Sequence, residues 1–191
     1  GYLSGPYFRD ADTGLYRPMV LATLTVERAL LEARPWLHRA VNLGLHALAA
    51  VLLLVLGRRL VPERPIVPLL AALLFAEHPA ATEVVAWIVA RGDSGAAVFS
   101  LLALLLALSR RPAALFGAAA CLLVAMLFKP VAAVVPGAFL LVAVNREQRR
   151  FRDLFRPATV IPLLFLTVPG AAAVLLPRAP RGALGAGGVG G

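Results

Sequence analysis

Long apolar runs, separated by short breaks that carry arginine, constrain this chain more than any other feature. They fall at 40–57, 66–78, 94–108, 113–128, 130–144 and 158–176. Apolar residues make up 60% of the sequence and charged residues 15%, against roughly 45–50% and 25% in soluble domains. A water-soluble globule has no place for so much apolar surface, and lipid is its natural solvent. The expected fold class is all-α, a polytopic integral membrane bundle of about six transmembrane helices. Several runs are short. A 15-residue helix covers only about 22 Å of a hydrocarbon core about 30 Å thick, so such runs must borrow flanking residues or sit inside a larger bundle.

The breaks set the orientation. One side carries Arg58, Arg59, Arg64, Arg110, Arg111, Arg146, Arg149, Arg150, Arg152 and Arg156 in three short loops, and the density of basic charge marks it as cytoplasmic. The opposite side has nine basic residues diluted by seven of the ten acidic ones. This divides the chain into an extracytoplasmic stretch at 1–39, a transmembrane bundle at 40–176 and a Gly-rich extracytoplasmic tail at 177–191. In the first stretch Tyr16-Arg17-Pro18 opens a helix over about 18–33, with proline in the first turn where its missing N–H costs nothing. Leu21, Leu24 and Leu31 can face lipid while Thr25, Arg28 and Glu32 face elsewhere, as in a helix lying on the membrane surface. The chain starts at Gly1 and ends in glycines, and both ends are expected to be cut. Eighteen arginines against one lysine in an Ala-rich sequence suggest a GC-rich bacterial source, and hence the bacterial inner membrane.

The net charge of +9 is carried between apolar runs, with no aromatic-interleaved basic patch, so nucleic acid is discounted as a partner. Cys121 is alone inside an apolar run and permits no intrachain disulfide. There is no nucleophile elbow, phosphate-cradling glycine loop or cysteine metal cluster.

Polar residues concentrate on the extracytoplasmic side. Glu77-His78-Pro79 leads to Glu83, Trp87, Arg91 and Asp93; if Pro79 starts a helix, Glu83, Trp87 and Arg91 follow at steps of four on one stripe. The alternative is an interfacial tryptophan among solvating charges, with Gly92-Asp93 ending one helix and capping the next. His38, Asn42 and His46 form a second stripe entering the first apolar run. Polar groups at membrane depth are either functional or hydrogen-bonding glue between helices. His38 and His46 stand about 12 Å apart along a straight helix, too far to share one ion, and no metal is expected. Lys129-Pro130 forms a tight hairpin with the chain's lone lysine, a snorkelling cation or a phosphate contact.

Three ordered pieces of this sequence resemble a known family. Tyr16-Arg17-Pro18-Met19, then His38, Asn42 and His46, then Leu74-Phe75-Ala76 running through His78-Pro79, Thr82-Glu83, Ala86-Trp87-Ile88, Arg91 and Asp93, resemble the membrane half of the transmembrane and tetratricopeptide repeat-containing O-mannosyltransferases and their bacterial relatives. The likeness spans roughly residues 14–140. It implies a GT-C type glycosyltransferase that moves a sugar from a polyprenyl-phosphate carrier to an extracytoplasmic acceptor, protein or glycan, with membrane lipid around it. Such transfer needs a carboxylate to take the acceptor proton and cations to hold the departing phosphate. On this resemblance Glu83, Asp93 and Asp10 are the candidate catalytic carboxylates, and Arg17, His46, His78, Arg91 and Lys129 the candidate substrate-binding residues. No cofactor is expected beyond the lipid-linked sugar, which is the donor substrate.

The chain departs from the family in two ways. The acidic pair of the family's first extracytoplasmic loop is expected to lie before Gly1, which would leave the principal catalytic acid outside this chain. Pro130 also stands where the family tends to carry glutamate after the hairpin lysine, and no tetratricopeptide repeats follow. The rival reading is a transporter or lipid-handling protein with a broken helix at 66–93. A carrier would gather Asn42, His46 and Glu77 near the midplane, an enzyme would gather Arg17, Glu83, Arg91 and Lys129 beside an outer groove, and a scaffold would scatter them.

Overall fold

The computed structural model describes residues 18–31, 34–87, 90–109 and 111–139. Asp10, Arg17, the end of the fifth apolar run, the run at 158–176 and the tail at 177–191 lie outside the described residues. Every regular element among the described residues is helical, so the chain is all-α there.

Helix α1, Pro18–Leu31, begins on its proline. Its threonines spend their hydroxyls on the helix itself: Thr23 Oγ1 donates to the Met19 carbonyl at 2.9 Å and Thr25 Oγ1 to Leu21 at 2.8 Å. Val20 is buried against Ala96 and Phe128, which fastens α1 onto the helices that follow.

Helix α2, Pro35–Leu60, runs for 26 residues and ends with Arg58 and Arg59 in its last turn, where cations meet the negative end of the helix dipole. The turn at 61–65 reverses the chain into α3, Ile66–Glu77. Two contacts fix these helices as antiparallel. A Cβ on Gly57 would lie 2.8 Å from Pro68 Cβ, so glycine permits the close approach near the turn. At the other end His46 of α2 reaches the Ala76 carbonyl of α3.

After His78 and Pro79 comes a short helix, α4, Ala81–Ala86. Trp87 then turns extended, at φ −90 and ψ 119, before α5, Arg91–Ala107. The expected stripe of Glu83, Trp87 and Arg91 is therefore broken: the three residues belong to two helices and the link between them. Helix α6, Pro112–Phe128, returns beside α5. Phe99 and Phe128 stack with centroids 5.8 Å apart, and a Cβ on Gly95 would fall 2.6 Å from the Phe128 ring. Alanines at 103, 107, 118 and 125 are fully buried, letting the two backbones approach. Lys129 is extended, and a 3₁₀ turn at Pro130–Val134 carries the chain to Phe139, which closes the same core.

Beside this apolar core, polar groups are buried and large apolar ones exposed. Glu27, Asn42, His46, Arg91 and Ser94 are buried, while Leu48, Val51, Leu70, Leu73 and Leu74 are exposed. Among the described residues one helix, Trp36–Leu60 with mean hydropathy 2.2, is long and apolar enough to cross a membrane; α3, α6 and Pro130–Phe139 are apolar but shorter.

Candidate functional site

The polar stripe of α2 follows from its step of four: His38, Asn42 and His46 all turn inward, and Asn42 is completely buried. Each meets a different partner. Asn42 Nδ2 donates to the Trp87 carbonyl at 3.1 Å, and its Oδ1 accepts from Arg91 Nε at 2.9 Å. Arg91 Nη1 donates to Glu27 Oε2 at 2.5 Å and Nη2 to the His38 carbonyl at 3.2 Å. His38 Nδ1 donates to the same Glu27 oxygen at 2.7 Å. One carboxylate, one guanidinium, one imidazole and one amide thus join α1, α2 and the start of α5. Burial pushes the Glu27 pKa up, but the hydrogen bonds and charges of Arg91 and His38 outweigh it and hold the carboxyl below its ordinary 4.5.

Beside this network a cavity of about 380 Å³ opens where α2, α3, α4 and α5 meet. His46, Phe75, His78, Val84, Asp93 and Ser94 are among its lining residues. His46 packs flat on Phe75, centroids 5.0 Å apart and planes 23° from parallel, and Nε2 donates to Ala76 at 3.2 Å. His78 is exposed and accepts the Ala80 N–H on Nδ1 at 3.2 Å. Asp93 sits in the first turn of α5, where the helix dipole favours a carboxylate, and Lys129 Nζ donates to its Oδ1. Both side chains of that pair are partly exposed. Ser94, on the next residue, is buried, and its Oγ has no hydrogen-bond partner among the described residues.

Of the residues singled out from the sequence, four thus come together: His46, His78 and Asp93 in the cavity wall and Lys129 behind Asp93. Glu83 is exposed on α4 and does not line the cavity. Arg91 is 1% exposed, with its guanidinium committed to Glu27, Asn42 and His38. Glu27 belongs to none of the motifs visible in the sequence. A signal was available, because Val20, Leu24 and Glu27 follow at steps of four and three, placing a carboxylate on the inward stripe of α1. No group of three metal-ligating side chains occurs among the described residues.

No protein-family model matches the chain. No solved structure matches it either. It is similar to characterised proteins over about half its length: 38% identical over 90 residues to the protein O-mannosyl-transferase TMTC2 of Mus musculus, covering 47% of this chain and 11% of that one. The human protein O-mannosyl-transferase TMTC1 is 38% identical over 90 residues, 47% of this chain and 10% of the relative. The protein O-mannosyl-transferase Tmtc1 of Drosophila melanogaster is 36% identical over 100 residues, 52% and 12%. The matched stretch is thus about a tenth of each relative, and the likeness is to one segment of proteins much longer than the 191 residues in hand.

Proposed function

We propose that this chain is the membrane part of a GT-C type glycosyltransferase, moving a hexose from a polyprenyl-phosphate carrier to a protein hydroxyl on the extracytoplasmic face of a bacterial inner membrane. The names of its relatives suggest mannose as the sugar. The observation that carries the reading is Asp93, a carboxylate in the wall of a cavity with a cation bound behind it.

In the reaction the acceptor oxygen bonds to the sugar's anomeric carbon as the bond from that carbon to the carrier phosphate breaks. The acceptor proton passes to a carboxylate, and the polyprenyl phosphate leaves with the bonding electrons. Asp93 suits the base, in the first turn of α5 and hydrogen-bonded to Lys129. Lys129, partly exposed beside Asp93, suits the departing phosphate. His46 and His78 offer polar contacts along the wall. Glu83, exposed on α4, is the alternative base, positioned to act from outside. Arg91 serves by fixing the start of α5. The exposed leucines of α2 and α3 support a lipid surround, and the proposal includes a polytopic bundle of about six crossings.

The transporter reading is favoured by one feature, the interruptions that divide α3, α4 and α5. Glu77 weighs against it, because it is exposed while Asn42 and His46 are buried.

The test is transfer of radiolabelled mannose from a polyprenyl-phosphate donor in membranes expressing the complete gene. Asp93→Asn should lower transfer by about 10² or more, the usual scale for a general base, and Glu83→Ala by much less. Transfer abolished by Glu83→Ala and untouched by Asp93→Asn would move the base to α4. No transfer by the unaltered protein would turn the assignment to a carrier.

A further inference from the structure

Asn42 is completely buried in α2 and spans the link that joins α4 to α5. Its Nδ2 donates to the Trp87 carbonyl at 3.1 Å, and its Oδ1 accepts from Arg91 Nε at 2.9 Å. A carbonyl only accepts and a guanidinium only donates, so the two bonds together fix which way the amide points. The Trp87 carbonyl also accepts the Ala90 N–H at 3.0 Å, which closes the turn between the two helices. One side chain thus holds the start of that turn and the first residue of α5.

Helix α5 lacks the usual local means of fixing this end. A serine, threonine, asparagine or aspartate at the cap ordinarily takes a first-turn N–H on its side-chain oxygen. Ala90 occupies that position in α5, and no side chain caps it. The Trp87 ring is exposed, so the link is tied through its backbone carbonyl. Asp93 lies two residues beyond Arg91 in the same turn. Its carboxylate is held by Lys129 just past α6, and its backbone by the bonds that Asn42 makes from α2. A shift of about 1 Å in a reacting group can lower a rate by about 10²-fold.

We infer that Asn42 is a positioning residue for the transfer reaction: it sets the first turn of α5, and with it the carboxylate of Asp93, without touching substrate. This rests on the glycosyltransferase reading above, with Asp93 as the base.

The experiment is a double-mutant cycle on mannosyl transfer from a polyprenyl-phosphate donor, in membranes expressing the complete gene. It compares unaltered protein, Asn42→Leu, Asp93→Asn and the combination. Leucine is close to asparagine in size and makes neither hydrogen bond. Asn42→Leu should lower kcat by about tenfold or more and leave KM for the donor within about twofold. In the Asp93→Asn background the same substitution should change kcat by less than about twofold, because the group it positions is gone. Should Asn42→Leu fail to fold, Asn42→Asp repeats the cycle, keeping an acceptor for Arg91 and losing the amide donor to Trp87. An equal fall in both backgrounds is what a loss of folded protein gives, and it would overturn the positioning role. So would an unchanged kcat in Asn42→Leu. Transfer untouched by Asp93→Asn would overturn the base and this role while leaving the transferase reading, and no transfer by the unaltered protein would overturn all three.

Discussion

Arg91 and Glu27 are 64 positions apart in sequence and 2.5 Å apart in space, joining α1 to the first turn of α5 with almost no exposure on either side chain. The pair is well satisfied on the arginine side: Nε, Nη1 and Nη2 each find an oxygen, from Asn42, Glu27 and His38. A charge so far from water is stable only in such company.

Removing the cation should therefore be severe. Arg91→Ala strands a buried carboxylate and should lower stability by about 3–5 kcal/mol, read as unfolding in detergent. Arg91→Lys should remain clearly destabilising, because an ammonium cannot span three partners held by a planar fork.

Glu27 sets an acid limit. Its pKa is depressed in the folded chain, so its contribution is complete above the ordinary value of 4.5 and is lost as pH falls through the lower folded value. Unfolding temperature should drop on acidification below pH 4.5, and Glu27→Gln should flatten that part of the profile. An unaltered acid profile in the variant would assign the effect to other carboxylates.

Gly95 tests the α5 and α6 contact. A methyl there would meet the Phe128 ring at 2.6 Å, inside any tolerable distance. Gly95→Ala should cost about 1–3 kcal/mol through overpacking, despite alanine's better helix propensity.

Leu48 tests the surround. It is 45% exposed near the middle of the 25-residue apolar stretch of α2. If lipid covers that face, Leu48→Arg should oppose membrane insertion by about 2.5–3.5 kcal/mol, measured as the inserted fraction in a translocation assay, and Arg59→Gln should not.

Apolar runs made the helices legible. The runs at 40–57, 66–78, 94–108 and 113–128 became Pro35–Leu60, Ile66–Glu77, Arg91–Ala107 and Pro112–Phe128, since an apolar stretch bounded by proline and arginine has few other choices. The inward stripe of α2 was legible for the same reason: one uninterrupted helix keeps a step of four in register. The stripe from Glu83 to Arg91 failed because Trp87 is extended, and nothing in the local sequence announces a break there. The split between Arg91 in the ionic network and Asp93 in the cavity wall was also hidden. Two residues along a helix lie about 200° apart around its axis, so neighbours in sequence serve different surroundings.

The long reach between Arg91 and Glu27 also orders the folding of the chain in time. The α2–α3 and α5–α6 pairs close across short turns, so their contacts cost little loop entropy and can form as soon as each pair exists. Helix α1 must wait, with His38 of α2 as the one partner Glu27 can find early, until Arg91 has been synthesised and α5 has found α2. Whatever holds the emerging chain in that interval has to tolerate an exposed carboxylate on an otherwise apolar stripe.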